Sequence, residues 1–227
     1  MRLLAIDTAL GLCSACVFDT ETDTALASAS VEMSRGHAEA LMPLIERVIN
    51  QIDGEFTSLD RVAVSVGPGS FTGLRVALSA GRAIGVAAEI PAVGVNTLSA
   101  FAAPYLGFDN VDHIASVIDA RHSHVYVQMI RSDGKLVLAP QITLISDVVA
   151  AIGALKVRIV GSAASLFADA MRSQGFNPDV EPDSAGPDID WIARLGAIAN
   201  PDHAPPSPLY LRPPDATPQT NGRIALA

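Results

Sequence analysis

One pattern occurs twice along the chain. A β-rich run, Arg2 to Thr8, carries Asp7 near its end; a second, Leu12 to Phe18, follows it, and then a polar turn at Asp19-Thr20-Glu21-Thr22-Asp23. In the second half, Ile114 to Asp119 again ends in aspartate, His124 to Ile130 alternates like a strand, and Asp133-Gly134 supplies the turn. The echo is faint, and the two intervals from aspartate to turn differ only by a loop's worth of residues. Self-similarity of this kind points to duplicated domains, and 227 residues exceed the usual single-domain size of about 100 to 200. Pro104-Tyr105-Leu106-Gly107 is the expected boundary. The division is then 1–103, 104–200 with its last helix a candidate to return to the first domain, and a Pro-rich tail 201–227. The end of that tail, Asp215 to Ala227, is expected to be mobile.

Between these landmarks the periodicity alternates between strand and helix. Thr24 to Val31 completes an antiparallel meander. From Ala38 to Ile52, Leu41, Leu44, Ile45, Val48, Ile49 and Ile52 recur on one helical face, with Pro43 a candidate kink. A short strand, Arg61 to Val66, runs through Gly67-Pro68-Gly69-Ser70-Phe71-Thr72-Gly73 into a helix from Leu74 to Ala88, and Ala92 to Val95 is a further strand. In the second half, helices are expected near Ser146 to Leu155, Ala164 to Gln174 and Trp191 to Ala199, with a strand at Val157 to Val160 and a loop over Asn177 to Asp190. The class is α/β, with mixed sheets flanked by helices.

Charge narrows the functions. Asp and Glu outnumber Lys and Arg 24 to 15, and the cations are scattered, so a direct, extensive nucleic-acid interface is disfavoured. The N-terminus meets Asp7 after four apolar residues, too short a run for a signal-peptide core, and Arg75, Arg82 and Glu89 punctuate the most apolar helix. A cytoplasmic location with no membrane contact is the expectation. Cys13 and Cys16 form Cys-x-x-Cys, but in a strand residues three apart point to opposite faces, so they read as two buried thiols rather than a redox pair.

The glycine loop is the most specific feature. It lacks the Lys of a P-loop, and Gly67, Gly69 and Gly73 miss the Rossmann spacing. Amides at the start of the following helix remain available to an anion; the alternative is a tight connection that packs the helix on its sheet. Asp7 stands where actin-like ATPases and sugar kinases hold a Mg²⁺–phosphate, yet Asp7-Thr8-Ala9-Leu10-Gly11 reads as a degraded grip. Within the helix, Ala77, Gly81 and Gly85 make a small-residue face against which something packs closely, either the chain's own domain or a second chain. The five histidines show no zinc spacing: His122 and His124 lack a Glu or Cys partner, and His37 lacks the second His of a zinc peptidase.

The chain resembles the TsaB (YeaZ) family, which acts in bacterial tRNA threonylcarbamoyladenosine synthesis. The residues that carry the resemblance are Leu4 to Thr8, His37-Ala38-Glu39-Ala40-Leu41-Met42-Pro43-Leu44-Ile45, Val66 to Val76, Asp119-Ala120-Arg121 with Val125-Tyr126, and Pro208-Leu209-Tyr210-Leu211-Arg212. The resemblance implies a duplicated actin-like (ASKHA, ribonuclease H-like) fold and a non-catalytic scaffold that activates its paralogue TsaD. TsaD would transfer the threonylcarbamoyl group to the adenosine beside the anticodon of ANN-decoding tRNAs, with the ATPase TsaE joining and tRNA reached only through TsaD. It further implies no cofactor, no metal and no catalytic residue, a vestigial nucleotide site at Asp7, Gly67, Gly69 and Gly73, and a homodimer when the chain is alone. The helices expected to meet TsaD or a second copy bring Leu41, Leu44, Ile45, Val48, Leu74, Leu78, Gly81 and Gly85 as interface residues. An actin-like ATPase or a metallopeptidase-like enzyme acting on its own is the competing reading. Gln141 to Asp190 and the His122-Ser123-His124 insertion match nothing specific in the family.

Overall fold

The computed structural model describes residues 1–107 and 111–212, so the tail end Asp215 to Ala227 lies outside the described residues. The first half runs β1 (Arg2–Asp7), β2 (Leu12–Asp19), β3 (Thr24–Glu32), α1 (His37–Ile49), β4 (Arg61–Gly67), α2 (Phe71–Ala87), β5 (Ala92–Asn96) and α3 (Thr97–Ala102). The second runs β6 (His113–Asp119), β7 (His124–Arg131), β8 (Leu136–Leu144), α4 (Ile145–Ile152), β9 (Val157–Val160), α5 (Ala164–Ser173), β10 (Asp179–Val180) and α6 (Ile189–Ile198). Each half forms a five-stranded sheet, ordered β3-β2-β1-β4-β5 and β8-β7-β6-β9-β10. In both, the first strand pairs antiparallel with the second and parallel with the fourth. The aspartates of the repeat occupy matching register positions at the strand ends, Asp7 opposite Ser14 and Asp119 opposite Val125.

Four apolar clusters cover the four sheet faces. Leu41, Ile45, Val48 and Ile49 of α1, with Leu74, Ala77 and Leu78 of α2, pack on Leu4, Ile6, Val62 and Val64. Phe167, Ala168 and Met171 of α5, with Val148, Val149 and Ile152 of α4, cover the matching face of the second sheet. The remaining two faces are covered crosswise. Ile189, Ile192 and Ala193 of α6 lie on Leu3, Ala5, Phe18 and Ala63 of the first sheet, while Leu98, Phe101 and Ala102 of α3 lie on Ile114, Ile118 and Val160 of the second. Each half therefore lends a helix to the other's sheet. Strand alternation sends Cys13 into the α1/α2 core and Cys16 into the α6 core, both buried and unpaired.

Helix α2 begins at Phe71, three residues ahead of the expected start. The hydroxyl of Ser70, in extended conformation, accepts from Gly73 N at 3.3 Å and so caps a first turn that carries no periodic apolar signal. The sequence reading also passed over β8, and β10 fell inside an expected loop. Among the described residues, no helix is long and apolar enough to cross a membrane.

Candidate functional site

The glycine loop meets the end of β1 at atomic contact. Gly69 and Gly73 press on the backbone of Ala9 and Thr8: a Cβ at Gly69 would stand 2.3 Å from the Ala9 carbonyl oxygen, and one at Gly73 2.0 Å from that of Thr8. Hydrogen bonds close the seam, from Ser70 N to Ala9 O at 2.7 Å and from the Thr8 hydroxyl to Gly73 O at 2.6 Å. Gly67 has φ +108°, a conformation that favours glycine, and a Cβ there would meet Leu74 and the Leu209 carbonyl. The structure thus brings Asp7, Gly67, Gly69 and Gly73 together. The amides of Ser70 and Gly73 are already paired within the chain, and the close contacts of Gly69 and Gly73 seat α2 on the end of β1.

Asp7 is fully buried. One carboxylate oxygen accepts from Ala9 N at 3.0 Å and from the Ser65 hydroxyl; the other is buried with no partner among the described residues. Burial pushes its pKa up, against the lowering effects of the Ser65 and Ala9 hydrogen bonds and of His37. Asp119 repeats the local turn, accepting from Arg121 N at 2.7 Å, but it is exposed and lines a cleft between the halves. That cleft encloses about 610 Å³. One wall is Leu10, Ser70, Phe71 and Leu74 of the first half; the other is Ile118, Asp119, Arg121 and Tyr126 of the second. The chain segment Leu209 to Arg212 crosses its rim.

Sequence reasoning gave that crossing segment no structural role. Leu209 N donates to Val66 O at 2.8 Å, Arg82 Nε to Pro206 O at 2.8 Å and Gly94 N to Ala204 O at 2.9 Å, so the tail is strapped to β4, α2 and β5. Tyr210 stacks on Phe71 with ring centroids 5.1 Å apart, and the Arg75 guanidinium lies 3.8 Å from the Phe71 centroid. The signal available in the sequence was the apolar Leu209-Tyr210-Leu211 set among prolines.

All eight residues expected at an interface lie in the chain's own core. Leu41, Leu44, Ile45, Val48, Leu74 and Leu78 are buried under the first sheet's helices, and a Cβ at Gly81 would stand 2.3 Å from Val64 Cγ1. At Gly85 the close neighbours are the Ile90 carbonyl and Ala92. The close approach that these glycines allow is therefore between α2 and its own sheet. What α1 and α2 leave open is a groove of Ala38, Met42, Thr72, Arg75, Val76, Ser79 and Ala80, and Ala83, Val86 and Ala87 are exposed further along α2. Met42 is 50% exposed and Val86 81%. His122 sits in the β6–β7 turn and His124 opens β7, with His124 Nδ1 2.7 Å from His122 O, and no group of three His, Cys, Asp or Glu that could hold a metal occurs among the described residues.

Residues 31–164 match the protein-family model described as "TsaD: tRNA N6-adenosine threonylcarbamoyltransferase". The chain is 32% identical over 127 residues to the Escherichia coli "tRNA threonylcarbamoyladenosine biosynthesis protein TsaB", covering 56% of this chain and 53% of that one. The chain belongs to the TsaB (YeaZ) family. Its match spans about half the length of that curated relative. A Mycobacterium bovis protein described as uncharacterized is 34% identical over 216 residues, 95% of this chain and 94% of its own. The solved structure of YeaZ from Pseudomonas aeruginosa superposes with a TM-score of 0.73 at 22% identity, covering 92% of this chain and 99% of that one. That likeness covers nearly the whole chain and shows a fold shared with YeaZ, and the two mixed sheets flanked by helices are the duplicated α/β class expected from the sequence.

Proposed function

We propose that this chain acts in tRNA threonylcarbamoyladenosine biosynthesis as a non-catalytic partner that docks on TsaD and activates it, in the cytoplasm, with TsaE joining the pair. The pathway comes from the printed names of the TsaB relatives and from the TsaD description of the matching family. The observation that carries the scaffold role is the open face of α1 and α2. Along α2, from Phe71 to Ala87, there is no acidic side chain; its exposed residues include Ser79, Ala83, Val86 and Ala87 as well as Arg75 and Arg82, and Ser79 shares a groove with Met42 of α1. Small and apolar side chains at exposed positions suit a close helix-to-helix contact with another chain. The same face would pair two copies when TsaD is absent. A net charge of −9 leaves tRNA binding to TsaD.

Gel filtration of this chain with its cognate TsaD tests the reading. Val86→Asp and Met42→Asp place charges on the open face without touching the core; both are expected to abolish co-elution at an unchanged melting temperature. Undiminished co-elution of the double variant would remove this face from the proposal.

A further inference from the structure

We infer that the cleft between the halves binds a small planar organic anion, with Arg121 holding its charged end and Phe71, Tyr126 and Tyr210 bordering its flat body. Its volume of about 610 Å³ falls in the range of small-molecule sites. The charged lining runs against the molecule as a whole: Arg121 and Arg212 face a single acid, Asp119, in a chain of net charge −9. Neither guanidinium has a hydrogen bond or ion pair to another side chain among the described residues, whereas Asp119 already accepts from Arg121 N at 2.7 Å. A cationic concavity with low-dielectric walls concentrates anions.

The backbone that presents Arg121 is the second observation. Arg121, His122 and Ser123 have φ of 63°, 52° and 61°, three successive left-handed residues with no glycine among them. L residues disfavour that region, and such conformations persist where the surroundings over-determine them. Here they are fixed by Ala120 N to His124 O, His124 N to Arg121 O and Ile145 N to Ser123 O, each at 3.0 Å. A glycine turn would join β6 to β7 more easily but would bring no guanidinium to the cleft wall.

The opposite end of the cleft limits the ligand. Gly69 and Gly73 are closed on Ala9 and Thr8, and the loop amides of Ser70 and Gly73 are internally paired, which leaves fewer backbone donors for a multiply charged phosphate chain on that side. One anionic group, phosphate or carboxylate, on a flat ring is the shared chemistry that fits.

The test is a titration of the full-length ¹⁵N-labelled chain alone, so its outcome is independent of any TsaD assay. The probes are AMP, 4-hydroxybenzoate and inorganic phosphate, followed by the amides of Gly69, Arg121 and Tyr210. AMP or 4-hydroxybenzoate is expected to shift these amides with a Kd at least about tenfold below that of inorganic phosphate. Arg121→Gln, confirmed folded by its melting temperature, is expected to weaken that binding by about tenfold or more; Arg212→Gln serves as a second variant should the first fail to fold. The inference is overturned if no probe shifts the cleft amides at about 10 mM, if inorganic phosphate binds as well as the ring-bearing probes, or if the folded arginine variant binds like the parent.

Discussion

An added methyl group at Gly73 has nowhere to go, because the Thr8 carbonyl oxygen would lie 2.0 Å from it and is backbone in a buried strand end. Gly73→Ala is therefore expected to cost about 3 kcal/mol or more in chemical denaturation, well beyond the usual helix preference for alanine over glycine, which alone would stabilise the helix by about 1 kcal/mol. An unchanged or raised midpoint would show that the seam can open. Asp7 gives a pH signature. Burial raises its pKa above the ordinary carboxylate value of 3.8, so the folded chain holds the proton more tightly than the unfolded one. Its contribution to stability is complete below that ordinary value and is lost as pH rises through the raised one. Asp7→Asn removes the titration, so the variant should gain stability relative to the parent as the solution moves from acid to neutral; a difference that does not vary with pH would contradict this. Burial also pushes the Cys13 thiol up to about 11 and Cys16 higher still. Both are expected to resist Ellman's reagent in the folded chain and to react once it is denatured.

At the scale of elements, Arg61 of β4 shows how a helix from the other half is held. Its Nη1 donates to the carbonyls of Gly196, Ala197 and Ala199 at 2.8, 3.0 and 2.8 Å, capping the C-terminus of α6, while Gly196 lets α6 close on Ala63. Arg61→Leu should lower the unfolding free energy by about 2 kcal/mol through loss of charge-assisted hydrogen bonds; a change below about 0.5 kcal/mol would mean that the last turn of α6 is held by packing alone. The helices and strands with clear apolar periodicity were legible in the sequence, because one-sided burial writes that period. Strand β8 was not: Leu136-Val137-Leu138 breaks the alternation, and Pro140 argues against an interior strand while being tolerated at the sheet edge it occupies. The start of α2 was hidden because Ser70-Phe71-Thr72 signals a cap rather than a face. The same logic explains the interface residues. Periodicity selects the side chains that a helix turns toward its own core, so Leu41, Leu78 and Gly81 stood out, whereas Val86 and Ala83 on the opposite face carry no such mark.

Across the whole molecule, the exchange of α3 and α6 makes the two halves mutually dependent. The first sheet needs Ile189 and Ile192 from the second half, and the second needs Leu98 and Phe101 from the first. A fragment of residues 1–106 is expected to lack a cooperative thermal transition and to regain one when the remainder is supplied; a cooperative transition of the fragment alone would contradict that dependence. The duplication itself was visible in the paired aspartates, but the crosswise helices and the strapped tail were not, since both depend on contacts far apart in sequence. The fold thus leaves one face of α1 and α2 open while Gly69 and Gly73 are closed on the end of β1, and the proposed partner role rests on that open face. Reconstituted threonylcarbamoylation of tRNA, with the adenylate-forming enzyme, TsaD and TsaE, run with and without this chain, tests that account most directly. It predicts modification that depends on the chain and is lost with the Met42→Asp and Val86→Asp double variant; full modification in the absence of the chain would contradict it.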